Sequence, residues 1–193
     1  MLNRWEESLN EKICGLDLDG VLNYYPQPWV DFINQWLDTN FTDLNEAKSS
    51  IPYQTYRDLK YEYRESGYKT SLEVRAGAVE LTKMLKEKKY TILILTSRPF
   101  HDHKSLFKQT VDWLQVNDLQ FDGIIFGHNK HAEILNQAPS LRFMVEDHRY
   151  YANQVANWGY KVFLMNNRYN QGDLVKGVIR IERLKEVLSY DWV

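Results

Sequence analysis

The chain has 193 residues, a length that fits one domain or one domain with a modest insertion and that suffices to bury a core. Its net charge of −2 argues against a protein that depends on bulk attraction to nucleic acid or acidic membranes. The single cysteine, Cys14, excludes disulfides within the chain and argues against a cysteine zinc site. The first residues lack the apolar core of a signal peptide, and no apolar run is long enough to span a bilayer. A cytoplasmic, reducing setting is the expectation.

In chain order, the first element is an apolar run over 13–18, read as a strand with Cys14 as a small core residue. It carries Asp17 and Asp19 at its end and is followed at once by Gly20. Carboxylates at the end of a buried strand are costly unless a cation or hydrogen bonds compensate them. A calcium loop of the EF-hand type fits poorly, because the glycine comes too early and Pro28 stands where a bidentate Glu belongs.

Residues 23–73 break the pattern that follows. They are helical in character, with helices expected near 28–40 and 53–66, and dense in Tyr, Trp and Phe. A crossover between parallel strands needs only about a dozen residues, so this stretch reads as an inserted cap with an aromatic core of its own. Tyr53, Tyr56, Tyr61 and Tyr63 partly follow helical spacing and are expected in that core.

After it, helix and strand alternate. Strands are expected at 90–96, 122–126, 141–146 and 160–164, and helices at 77–88, 103–117, 130–137 and 149–158. A short segment at 177–180 adds an edge strand and 182–190 a last helix. Apolar runs without polar alternation suit strands covered on both faces, so the fold class is α/β with a parallel sheet of five or more strands flanked by helices. The expected division is a core of 1–22 and 74–193 with the cap at 23–73.

In such a sheet the strand ends share one edge, where open α/β folds bind ligands. Strand ends bring there Asp17 and Asp19, then Thr96-Ser97-Arg98-Pro99, then His128-Asn129-Lys130 opening a helix, then Glu146-Asp147. Acids, hydroxyls and a lysine around one crevice suit phosphoryl transfer from a monoester. The dianionic phosphate repels an anionic nucleophile unless a cation neutralises it, and Mg²⁺ takes carboxylate, water and phosphate oxygens. Arg98 is placed to fork onto a phosphate or to pair with a neighbouring acid. His101 and His103 read as surface residues. His128 and His131 flank Lys130, and Asn166-Asn167-Arg168-Tyr169-Asn170 reads as a loop or as part of the site's rim.

Asp17-Leu18-Asp19-Gly20-Val21, Thr96, Lys130 and Glu146-Asp147 resemble, in order, the four motifs of the haloacid dehalogenase (HAD) superfamily. The resemblance covers nearly the whole chain. It implies a HAD-like Rossmannoid core in which Asp17 is the nucleophile, Asp19 the general acid/base and Lys130 the group that steadies both nucleophile and phosphate. It implies phosphoryl binding by Thr96, with Ser97, Arg98 and Gly20 in the substrate-binding set. Asp17, the backbone carbonyl of Asp19, Asp147 and, as a weaker ligand or a supporting residue, Glu146 would hold Mg²⁺. A second Asp at position 19 and the lack of a lysine after Asp17 favour a phosphatase over the superfamily's dehalogenase and P-type ATPase branches.

A narrower resemblance is to the 5′(3′)-deoxyribonucleotidases, which share the Asp-x-Asp-Gly-Val-Leu start, the short helical insertion and a strand ending in Thr-Ser or Thr-Ala. It implies nucleoside monophosphates as substrates and places Tyr25 where an aromatic stacks on the base. Two departures touch the substrate more than the reaction: His131 follows Lys130 where Thr is usual, and Glu146-Asp147 replaces Asp-Asp. Another small phosphoester such as a sugar phosphate, or a catalytically silent binding protein, are the competing readings. A small-molecule phosphomonoester is the expected partner. No membrane or long nucleic acid is expected, and a homodimer is compatible with this reading.

Overall fold

The structure is a computed structural model, and it describes residues 12–127, 129–137 and 140–193. β1 (Lys12–Asp17) lies near the middle of a six-stranded sheet. β2 (Tyr90–Thr96) and β3 (Gly123–Phe126) extend it on one side. β4 (Leu141–Glu146), β5 (Lys161–Met165) and β6 (Val178–Ile181) extend it on the other. All pairs are parallel and the order is β3-β2-β1-β4-β5-β6. The strand order reverses between β1 and β4, and a crevice opens there at the carboxyl ends.

Side-chain alternation along each strand divides the core in two. Cys14, Leu16, Ile92, Ile94, Phe143, Val145 and Phe163 pack on one face, against α4 (Ala78–Glu87) and α5 (Ser105–Val116). Ile13, Leu95, Met144, Val162 and Leu164 pack on the other, against α6 (Lys130–Gln137) and α7 (Arg149–Asn157). Covered on both faces, the central strands must be apolar throughout, which is why they read as continuous runs. Cys14 is fully buried and burial pushes its thiol pKa up, so it packs as a small apolar residue. Among the described residues no helix is long and apolar enough to cross a membrane.

Between β1 and β2 stand α1 (Gln27–Leu37), α2 (Leu44–Ser50) and α3 (Tyr53–Glu65). They enclose a separate cluster of Trp29, Phe32, Ile33, Ala47, Ile51, Leu59 and Tyr63. Of the four tyrosines expected in it, Tyr56 and Tyr63 contribute, whereas Tyr53 and Tyr61 are exposed. The chain leaves the sheet at Asn23 and returns at Val74, and these two residues pair as an antiparallel bridge. Arg75 N–H donates to the Leu22 carbonyl (2.8 Å) beside it.

Three details differ from the sequence reading. Asp17, not Leu18, ends β1, because the Asp17 carboxylate accepts the Leu18 N–H (2.7 Å) and turns the chain. Residues 182–190 give a 3₁₀ segment, Leu184–Ser189, in place of a regular helix. The helix α2 was not expected: its sequence is polar and only Ala47 is buried, so no apolar stripe marks it. Asp43 starts it by accepting the N–H groups of Asn45 (2.8 Å) and Glu46 (3.0 Å).

Trp113 of α5 is fully buried and its indole N–H donates to the Leu72 carbonyl (2.7 Å), so it clamps the returning end of the insertion to the sheet layer. Trp113→Ala is expected to cost about 3–5 kcal/mol, measured as a shift of the urea midpoint at constant slope. A loss below about 1 kcal/mol would mean the cavity collapses without penalty.

Candidate active site

The site begins with a turn. Asp17 closes β1, and Gly20 takes a left-handed φ of +93° that glycine alone adopts without strain. Asn23, fully buried, staples the turn: its side-chain oxygen accepts the N–H groups of Gly20 (3.2 Å) and Tyr25 (2.9 Å), and its amide donates to Asp19 (2.9 Å). The Gly20 carbonyl accepts from Arg75 (3.1 Å). A Cβ on Gly20 would lie 2.1 Å from Asp147 Oδ2, so the missing side chain is what lets the loops after β1 and β4 come together.

That approach gathers three carboxylates. Oxygens of Asp17, Glu146 and Asp147, all buried, lie within 4.8 Å of one another. Glu146 accepts the N–H groups of Asp147 (3.2 Å) and His148 (3.0 Å) and pairs with His131 Nε2 (2.8 Å). The His131 ring in turn stacks on Tyr151. Asp147 accepts from the Tyr169 hydroxyl, and its carbonyl accepts from Asn170 (2.7 Å). Arg180 of β6 holds Asn170 in place with bonds of 2.7 and 3.1 Å. Burial, reinforced by Asp147, pushes the Tyr169 hydroxyl pKa up, so it stays a donor to that carboxylate. Three hard oxygen donors at this spacing suit Mg²⁺.

Asp19 is held differently. Arg98 forks onto it, Nη2 to Oδ1 at 2.6 Å and Nε to Oδ2 at 2.8 Å, and Lys69 from the insertion reaches Oδ2 at 3.4 Å. Burial alone would raise the Asp19 pKa, but Arg98 and Lys69 outweigh it and hold the carboxyl well below its usual range. Lys69 itself is pulled down to about 7, first by burial and then by Arg98, with Asp19 opposing. Arg98 is thus the partner of an acid, the second of the two roles its position allows; its remaining Nη1 donates to Thr110 (3.0 Å).

Thr96 ends β2 beside this clasp, buried, its hydroxyl accepting the Arg98 N–H (3.2 Å). Ser97 is exposed. Lys130 opens α6 at the end of the β3 crossover, but its side chain, like all of His128, lies outside the described residues. Tyr25 follows the turn, its N–H held by Asn23 (2.9 Å) and its hydroxyl accepting from Lys60 (3.3 Å). His103, expected at the surface, is buried against Glu65 of α3, because the insertion covers that helix start. The 166–170 loop lines the site through Tyr169 and Asn170.

With this geometry in hand, the relatives are informative. Residues 11–190 match the family model described as 5′ nucleotidase, deoxy (pyrimidine), cytosolic type C protein. The chain belongs to this nucleotidase family. Over 192 residues it is 24% identical to a nucleotidase of Clostridium acetobutylicum, a match covering 94% of this chain and 92% of that one. Among solved structures, a haloacid dehalogenase-like hydrolase of Streptococcus pneumoniae superposes with a TM-score of 0.64 at 14% identity, covering 93% of this chain and 98% of the other. A predicted phosphatase of Clostridium acetobutylicum gives 0.59 at 16% identity over 93% and 99%. These likenesses show the HAD fold, as the motif order implied; the family match carries the phosphatase class.

Several residues that shape this nucleotidase site escaped the sequence reading. Lys69, Asn23, Arg75 and Arg180 lie outside the strand-end motifs, and each acts through a partner distant in sequence or hidden in a turn. Only Asn23 left a signal, as a turn-forming residue three positions past the glycine.

Gly20→Ala forces a left-handed backbone on alanine and drives its methyl group into Asp147. It is expected to lower stability by about 1–3 kcal/mol, read from urea unfolding; an unchanged midpoint would show that the two loops are not in obligatory contact.

Proposed function

We propose that the chain is a Mg²⁺-dependent phosphomonoester hydrolase that works through an aspartyl-phosphate, with (deoxy)nucleoside monophosphates as substrates. The observation that carries the reading is the trio of buried carboxylates at the crevice beside β1, in a chain of nucleotidase family. Asp17, Asp147, the Asp19 backbone carbonyl and, as ligand or support, Glu146 would hold the ion. When bound, the ion supplies positive charge that offsets the repulsion between an anionic nucleophile and a dianionic phosphate.

The residues then divide the work. An Asp17 oxygen attacks phosphorus, the P–O bond to the leaving group breaks, and the electron pair departs on the leaving oxygen. Asp19 gives that oxygen a proton; in the second half it takes one from the water that attacks the acyl phosphate, and Asp17 is released with inorganic phosphate. Thr96 and Lys130 hold the equatorial oxygens, with Ser97 at the rim. Arg98 and Lys69 keep both Asp19 oxygens engaged, so the carboxylate must be freed from them and take up a proton from solvent before it donates one to the leaving group. A substrate phosphate, competing for Arg98, is the group suited to loosen that clasp.

We read residues 23–73 as a cap over the core of 1–22 and 74–193. Its separate aromatic core and its narrow tether at Asn23 and Val74 support this division. The Lys69–Asp19 contact is then a bond between cap and core, and a closed cap excludes water while the ester is cleaved. Tyr25 offers a ring for the base, since aromatic stacking tolerates any base.

The test is turnover of a deoxynucleoside monophosphate with and without Mg²⁺. Asp17→Asn is expected to reduce it to background, and Asp19→Ala to slow it by at least about 10²-fold. Wild-type protein without Mg²⁺-dependent turnover would leave a binding protein; near-normal Asp19→Ala turnover would reassign the proton transfer.

A further inference from the structure

The inner side of the insertion gathers Lys60 and Lys69, and of these Lys69 shares with Arg98 the carboxylate of Asp19. Lys60 on α3 lies among three rings, 4.2 Å from the centroid of Trp29, 5.1 Å from Tyr25 and 5.3 Å from Tyr63. It donates a hydrogen bond to the Tyr25 hydroxyl, and among the described residues no carboxylate lies within ion-pair distance of it. Lys69, buried, touches the same Tyr25 and Tyr63 rings at 5.8 and 5.0 Å. Arg64, one turn beyond Lys60, adds a third positive charge close enough to act on both lysines. The Tyr63 hydroxyl is buried with no hydrogen-bond partner among the described residues. Asp19, which Lys69 reaches at 3.4 Å, has both oxygens engaged by Arg98 as well.

Cation–π contacts fix an ammonium group in place but leave its charge uncompensated. With no carboxylate beside it, burial holds the Lys60 pKa well below the usual ammonium range, an imbalance that an arriving anion corrects. A sugar hydroxyl or a neutral base would leave the imbalance as it stands. A phosphate, with two charges and several acceptor oxygens, matches two ammonium groups and a free phenol.

We propose that Lys60 and Lys69, framed by Tyr25 and Tyr63, form a second anion subsite on the insertion, and that the substrate carries there a second phosphate, apart from the phosphoryl group transferred to Asp17. The substrate class is then a small bisphosphate on a nucleoside or sugar scaffold. This rests on the phosphatase reading of the same site.

The test is calorimetric binding to full-length Asp17→Asn protein, which requires no turnover. The ligands are a deoxynucleoside 5′-monophosphate with its 3′,5′-bisphosphate, and ribulose 5-phosphate with ribulose 1,5-bisphosphate. On at least one scaffold the bisphosphate is expected to bind at least tenfold tighter than the monophosphate. Adding Lys60→Met should collapse that ratio, whereas Lys60→Arg, which keeps the charge, should retain most of it. The scaffold that shows the ratio identifies the source of the second phosphate. Equal affinities in both pairs, or a ratio that survives Lys60→Met, would overturn the subsite. Wild-type turnover of the monophosphate, measured alongside, reports separately on the reaction.

Discussion

The structure is organised around mutual repulsion. Three buried carboxylates, Asp17, Glu146 and Asp147, converge at the point where the order of a parallel sheet reverses. Nothing in an apolar core favours such a gathering, and each acid brings its own compensation. Glu146 is met by His131 and two N–H groups of the turn, Asp17 by the Leu18 N–H, and Asp147 by Tyr169. Much of the rim exists to hold these partners: Tyr151 stacks on His131, and Arg180 orders Asn170, which holds the Asp147 backbone. Gly20 is the geometric condition for all of it, since any side chain there would separate the two acid-bearing loops.

Asp19, two residues beyond Asp17, belongs to a different electrostatic regime. Asp19 is crowded by positive charge, with Arg98 from the core and Lys69 from the insertion on one carboxylate. One turn thus separates an acid of the carboxylate trio from an acid clasped by Arg98 and Lys69. The second pairing ties the 23–73 segment to the turn after β1, alongside the Trp113–Leu72 and His103–Glu65 contacts.

What the sequence disclosed follows from how local the signal is. β1, β2 and β4 were legible because strands buried on both faces need unbroken apolar runs, and the acids at their ends stood out against those runs. The edge segment at β6 was found within one residue from its short β-branched run, Val178-Ile179. α2 was invisible because a helix that buries one alanine carries no stripe. Lys69 looked like any solvated lysine; its meaning lies in an acid fifty residues earlier in the chain. His103 read as a surface residue because its neighbour, Glu65, arrives only when the insertion folds back over α5. Arg98 was legible in position but not in partner, since a guanidinium at that strand end serves a phosphate or a carboxylate equally well.

The central claim is that the carboxylate trio is a divalent-cation site and not only a self-compensated acid cluster. Mn²⁺, which shares the oxygen preference of Mg²⁺ and is visible by electron paramagnetic resonance, tests it directly. Wild-type protein is expected to bind one Mn²⁺ that Mg²⁺ displaces, and Asp147→Ala to lose that binding while remaining folded. Wild-type protein that binds no Mn²⁺, or binding left unchanged by Asp147→Ala, would contradict the account.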